Sequence, residues 1–186
     1  MPWSYSSLSL FKQCPRKYYH LRVLKDVVEP ETEHLIYGSA VHKAAEEYGR
    51  DGIPIPEKFD FIKPMLDTLL AAPGTPLFEH KMGVTKDRRP CDFDDAEAWW
   101  RGIADLMILQ PEQETALLVD YKTGKSARYA DHDQLKLLSL AIFAHYPEID
   151  TVKAGLLFVV SNEFLQIEIQ RDARSEEHTS ELQSRV

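Results

Sequence analysis

"GIADLMILQPEQETALLVDYKTG" (102–124) reads as two apolar strands joined by the short polar turn "PEQE" (111–114), and the pairing of those strands decides the fold. With that turn, Gln110 stands opposite Thr115, and stepping back along both strands brings Asp105 opposite Asp120. Directly opposed residues have Cβ atoms about 4.5–5.5 Å apart, and like charges there repel. Alternation puts Asp120 and Lys122 on one face of their strand, with Val119 and Tyr121 on the other. A lone D-x-K is most simply an ion pair where a strand reaches solvent. Residues 106–109 and 116–119 carry no charge, however, so both acids interrupt segments that read as buried. Buried carboxylates need a counter-charge. Lys122 is one candidate and a divalent cation with oxygen ligands is the other. A register slipped by two, or one acid lying at the surface, would separate the pair.

Working outward, "SYSSLSLFKQCPRKYYHLRVL" (4–24) opens on a serine-rich cap and reads as two short helical pieces broken at Cys14-Pro15. "YGSAVHKAAEEYGRDG" (37–52) is a helix stopped by glycine, with Val41, Ala45 and Tyr48 as its apolar stripe. Gly38, His42 and Glu46 share an adjacent face. "PEKFDFIKPMLDTLLAAPG" (56–74) is helical, bends near Pro64 and stops at Pro73-Gly74. "LFEHKMGV" (77–84) is a first strand before the central hairpin. "DHDQLKLLSLAIFAHYP" (131–147) is an amphipathic helix whose Asp131 and Gln134 have capping-box spacing. "TVKAGLLFVV" (151–160) and "EFLQIEIQ" (163–170) form a last hairpin across Ser161-Asn162. Helices, three strands, a helix and two strands make an α/β domain around a mixed sheet.

Hydrophobic residues at 44% and charged residues at 28% suit one globular domain, residues 1–173. The longest apolar runs fall far short of the roughly 20 residues that span a bilayer, and no signal-peptide core opens the chain. A cytoplasmic protein without a membrane partner is expected. Cys14 and Cys91 alone supply neither a disulfide framework nor a four-cysteine metal site. The net charge of −8 argues against an indiscriminate polyanion binder. Its distribution is uneven, since residues 1–25 contain no acid but carry Lys12, Arg16, Lys17, Arg22 and Lys25 among Trp3, Tyr5, Phe11, Tyr18 and Tyr19. Bases among aromatics suit a phosphate backbone with stackable bases, and equally suit a helix with an aromatic core and a solvated face. Residues 174–184 reproduce the first-frame translation of a common sequencing adapter, and 174–186 are read as a non-native tail replacing the true continuation.

"GSAVH" (38–42), "GIAD" (102–105), "DYK" (120–122) and a following helix with Gln134, preceded by "SYSSLSLFKQCPRKYYH" (4–20), resemble in order and spacing the RecB-like branch of the PD-(D/E)XK nucleases. That branch includes phage exonucleases and CRISPR-adaptation nucleases. The resemblance spans residues 3–170 and implies a restriction-endonuclease-like core, a central mixed β-sheet flanked by helices, with an N-terminal helical segment. It also implies a metal-dependent deoxyribonuclease, an exonuclease of DNA recombination, repair or replication, using Mg²⁺ or Mn²⁺. His42, Asp105, Asp120 and the Tyr121 carbonyl would ligate the metal. Lys122 would orient or deprotonate the attacking water, acting with Asp105 and Asp120. Gln134 would support the active site or DNA, as would Arg16, Lys17 and Tyr18. DNA is the expected partner, and the sequence names no helicase or recombination partner.

In the family's Gln-x-x-x-Tyr pattern Leu138 takes the tyrosine's place, so a hydrogen bond is lost there. Cys14 sits where some relatives place the first ligand of an iron–sulfur cluster, whose other three cysteines would have to come from sequence that the tail replaces. A capping role for Gln134, a surface position for Glu46 and an undecided one for Glu79 stand beside these assignments. "WWR" (99–101) reads as core and rim. The alternative function is a catalytically silent nuclease-fold subunit that binds DNA, and a third reading is a small metal-binding protein of unrelated role.

Overall fold

The computed structural model describes residues 2–124, 131–161 and 163–171. The tail at 174–186 lies outside them.

Helix α1 (Tyr5–Gln13) starts at Ser4, whose hydroxyl accepts from the Ser7 amide at 3.2 Å while the Ser7 hydroxyl accepts from the Ser4 amide at 2.8 Å. Pro15 in the first turn of α2 (Pro15–Tyr18) forces the break, and the chain continues as a π-helical turn over Tyr19–Leu24. Helix α3 (Glu33–Asp51) is capped by Thr32 and ended by Gly52 at φ 68°, a conformation with little cost only for glycine. It begins four residues ahead of the predicted start at Tyr37 because Thr32 provides the cap. Residues Glu57–Ile62 form a 3₁₀ turn leading into α4 (Lys63–Leu70), so the helix predicted over 56–72 is tighter at its start and stops earlier.

Six strands follow the order β2-β1-β3-β4-β5-β6: β1 (Thr75–Thr85), β2 (Pro90–Cys91), β3 (Ala98–Gln110), β4 (Thr115–Lys122), β5 (Thr151–Phe158) and β6 (Glu163–Gln170). β1 and β3 run longer than predicted, β5 ends two residues sooner, and the two-residue β2 has no signal of its own. All neighbours are antiparallel except β4 and β5, whose parallel pairing needs a crossover, here containing α5 (Asp133–His145). This is the mixed α/β, restriction-endonuclease-like arrangement expected from the sequence.

The central hairpin takes the expected register, from Gln110 opposite Thr115 to Leu106 opposite Val119. Alternation along β3 and β4 splits two cores. Met107, Leu109, Ala116 and Leu118 pack with Leu135, Leu138 and Ile142 of α5. Leu106, Ile108, Val119 and Tyr121 pack with Val41, Ala44 and Ala45 of α3, with Phe59 and Ile62 of the 3₁₀ turn, and with Leu66 of α4. The N-terminus is clamped to β3 by backbone bonds, Trp3 N to Trp99 O at 2.7 Å and Arg101 N to Trp3 O at 2.8 Å. The capping box predicted at Asp131 and Gln134 does not form. The helix starts at Asp133, Asp131 Oδ1 accepts from the Asp133 amide at 2.8 Å, and Gln134 turns inward instead.

Arg171 ties the far end of this core together, donating to the carbonyls of Ile149, Phe143 and Tyr146 at 2.6–3.0 Å, pairing with Asp150 and lying over Phe143. Since hydrogen bonds from a charged donor contribute about 1.5–3 kcal/mol, Arg171→Ala is expected to lower unfolding stability by about 2 kcal/mol, read by urea denaturation.

Candidate active site

The first group of residues gathers where β3 and β4 part company. Beyond Leu106 and Val119 the Tyr121 amide no longer bonds backbone and instead donates to Asp105 Oδ2 at 2.8 Å. His42 reaches the same point from α3. Its Nε2 lies 2.9 Å from the Tyr121 carbonyl and its Nδ1 3.3 Å from Asp105 Oδ2. Gly38, one turn earlier, makes this approach possible, for a Cβ there would stand 3.2 Å from Thr123 Oγ1 just past β4. The helix therefore lies close against the strand exit, as a glycine on that face allows.

Glu79 completes the group. Phe78 pairs with Leu106 and His80 with Ala104, but Glu79, opposite Asp105, pairs with nothing in the ladder and takes φ 46°. A non-glycine residue at such φ is uncommon and costs of order 1–3 kcal/mol, so surrounding structure must hold it. Ligand atoms of His42, Glu79 and Asp105 all lie within 4.8 Å of one another, a spacing that a single cation can bridge. The sequence left Glu79 open. Its signal was an acid interrupting the first strand, which gains meaning only once β1 is known to pair with β3.

A second group adjoins the first through β4. Asp120 is 2% exposed. Its Oδ2 lies 2.5 Å from Lys122 Nζ, out of line for a hydrogen bond, so the contact is ionic. Gln134, in the first turn of α5, spans both residues. Its amide donates to Asp120 Oδ1 at 2.5 Å and its carbonyl accepts from Lys122 Nζ at 2.8 Å. Asp120 and Lys122 thus do share a face, as alternation requires, but the side chain that fixes them comes from a helix beyond the sheet. The structure brings His42 and Asp105 together with Glu79, and sets Asp120 beside Lys122 and Gln134.

Electrostatics bind the two groups. Burial pushes the Asp120 carboxyl up to about 6, with the Asp105 charge adding to this and Lys122 offsetting part of it. Burial and the Asp105 charge also raise Glu79. For His42, burial acts to lower the pKa, but the hydrogen bond and charge of Asp105, followed by the charge of Asp120, outweigh it and the net shift is upward. Its two ring nitrogens face the Tyr121 carbonyl and Asp105 Oδ2. The Tyr121 hydroxyl is buried without a hydrogen-bond partner, and its pKa is raised by burial, Asp105 and Glu79. An excess of carboxylates with one imidazole fits a hard divalent ion such as Mg²⁺ or Mn²⁺.

N-terminal residues, Lys17 among them, flank this centre, lining one groove with Lys122 and Gln134. Tyr18 stacks on Trp3 with centroids 5.5 Å apart and meets the Phe11 ring edge-on. Arg16 is exposed, and Lys17 pairs with Glu29 at 2.5 Å. Cys14 is exposed and its sulfur accepts from the Lys17 amide at 3.4 Å, capping α2. Glu46 is engaged by Arg50 on the surface of α3. Trp100 is buried while Trp99 is 41% exposed.

Among the described residues, no helix is long and apolar enough to cross a membrane. No curated protein matches the chain. The family model described as the PD-(D/E)XK nuclease superfamily matches residues 2–86, which hold His42 and Glu79 but end before Asp105, Asp120 and Lys122. With the six-stranded sheet and its flanking helices, that match supports placing the chain in the PD-(D/E)XK nuclease superfamily.

Proposed function

We propose that the chain is a divalent-metal-dependent deoxyribonuclease of the RecB-like branch, an exonuclease hydrolysing phosphodiester bonds in DNA recombination, repair or replication. The observation that carries this reading is the convergence of His42, Glu79 and Asp105 beside the Asp120–Lys122–Gln134 group. His42, Asp105, Glu79 and Asp120, with the Tyr121 carbonyl, would hold the ion. When bound, Mg²⁺ or Mn²⁺ supplies positive charge at the scissile phosphate and acidifies water. His42 releases its proton to ligate, which weakens ion binding at low pH. Lys122, 35% exposed at the side chain, presents its ammonium to the phosphate and to the attacking water. Gln134 holds that ammonium in place and keeps Asp120 oriented. The basic N-terminal helices, with Arg16 and Lys17, attract the DNA backbone.

Glu79→Gly separates the ligand role from the backbone role. Relief of the positive φ is expected to stabilise the metal-free protein by about 1 kcal/mol. Mn²⁺ affinity, measured by calorimetry, is expected to fall by about tenfold or more. Unchanged affinity would remove Glu79 from the ligand set.

The function is tested by incubating the chain with linear and closed circular DNA in Mg²⁺ or Mn²⁺, and again with chelator. Metal-dependent loss of the linear form alone is expected of an exonuclease. Cleavage of the circle would make it an endonuclease, and DNA binding without cleavage by a folded chain would make it a silent binding module.

A further inference from the structure

We infer that Tyr5 is a positioning residue for cleavage: its hydroxyl, through Asp131, fixes the start of α5 and so the Gln134 side chain that holds Lys122 and Asp120. This deepens the nuclease reading and rests on it for the reaction concerned.

Gln134 is the second residue of α5, so its reach depends on where that helix begins. His132 at the N-cap makes no side-chain cap bond. A helix end of this kind leaves its first amides without partners. Asp131, one residue earlier, supplies one, for its Oδ1 accepts from the Asp133 amide at 2.8 Å. Its other oxygen, Oδ2, accepts from the Tyr5 hydroxyl at 2.9 Å, across 126 residues of sequence. With both oxygens engaged the carboxylate is fixed in orientation, and the Gln134 amide is left to Asp120.

Tyr5 is itself anchored. It is the first residue of α1, directly after the Ser4 cap, and Trp3 before that is bonded to β3 through both its amide and its carbonyl. A short path therefore runs from β3 through Trp3, Tyr5 and Asp131 to Gln134, and ends at Asp120 and Lys122 of β4. It links the two strands beyond the point where their ladder stops. Tyr5 also lines the groove between α1 and β3, over Trp100, that Lys122 and Gln134 line. Burial, then the hydrogen bond and charge of Asp131, push the phenol up to about 12, so it keeps the proton it donates at neutral pH. Lys12 adds only a long, exposed contact to Asp133 at 3.9 Å, which contributes little. The Tyr5 bond is exposed too, so its worth lies in placement: a displacement of about 1 Å at a reacting group can cost about 10²-fold in rate.

The test is Tyr5→Phe, which removes the hydroxyl and keeps the ring, alone and combined with Gln134→Ala. In the metal-free full chain, in chelator, the side-chain amide resonances of Gln134, assigned by Gln134→Ala, are followed by NMR. Tyr5→Phe is expected to move them toward those of a solvent-exposed glutamine, with Tm nearly unchanged. With Mg²⁺, the maximal single-turnover rate on linear DNA is expected to fall about fivefold while half-saturation stays in place. In the Gln134→Ala background Tyr5→Phe is expected to cause no further loss, because both act through one side chain. Unmoved Gln134 resonances, a change in half-saturation without a change in maximal rate, or additive losses in the double variant would overturn the positioning role. A chain that cleaves DNA while Tyr5→Phe leaves those resonances in place loses this role and keeps the nuclease reading. If the resonances move but the wild type does not cleave, the nuclease reading falls and the tether from Tyr5 to Gln134 stands.

Discussion

Lys122→Ala is expected to lower the single-turnover rate of metal-dependent cleavage of linear DNA by about 10²–10⁴-fold, the usual worth of a positioned proton-transfer or charge-stabilising group. The fold should survive, because Lys122 ends β4 with its side chain 35% exposed and its removal leaves no cavity in either core. Asp120 would then lose its ion-pair partner, but Gln134 still donates to it. Thermal unfolding of the variant should therefore stay close to that of the wild type while the rate collapses. Lys122→Arg is expected to recover little, since a planar guanidinium does not reproduce a compact ammonium held by one amide carbonyl. A cleavage rate that survives Lys122→Ala would sink the assignment of this lysine.

Asp120→Asn is expected to abolish cleavage while making the metal-free protein more stable. The folded protein holds this carboxyl at about 6, above its ordinary 3.8, chiefly through burial and then through Asp105. A raised carboxyl pKa means that folding favours the protonated form. The wild type thus bears no penalty from this group below its unfolded pKa and acquires one as the pH rises from about 4 to about 6. Above that range the penalty is on the order of 3 kcal/mol, and the asparagine variant recovers part of it. In chelator at pH 7.5 its Tm should exceed the wild-type value by a few degrees, at roughly 2–4 °C per kcal/mol for a chain of this size, and the difference should shrink towards pH 4. Added Mn²⁺ should reverse the order, raising the wild-type Tm through selective binding to the folded state and leaving the variant nearly unmoved. A variant less stable than the wild type in chelator would refute the burial penalty on the Asp120 carboxylate.

Much of this site is legible in the linear chain, and the hairpin shows why. Its turn has four residues, its flanks alternate, and Gln110 pairs with Thr115 as expected, but the ladder stops at Leu106 and Val119, so Asp105 and Asp120 are not a paired position and turn to different partners. Local rules of this kind also locate α1, through its serine cap, and the end of α3, through Gly52. Gln134 shows where local rules stop. Its spacing from Asp131 satisfies a capping box, yet the Asp131 carboxylate accepts from the Asp133 amide and from the Tyr5 hydroxyl, at 2.8 and 2.9 Å. That leaves the glutamine amide to a buried carboxylate and an ammonium, whose need for partners is stronger than that of a helix end open to water.

By itself, the sequence determined the strands that pair at the centre, the shared face of Asp120 and Lys122, and the helix face that carries His42. Each of these is a consequence of alternation or of the helical repeat, which act between near neighbours along the chain. Only the tertiary structure decided that Glu79 joins His42 and Asp105, that Gln134 spans Asp120 and Lys122, and that α1 closes a cavity over Trp100. Those contacts join residues far apart in sequence, and no periodicity encodes them. They follow from which sheet edge and which helix the two hydrophobic cores bring together, and from the cost of leaving a buried charge without a partner.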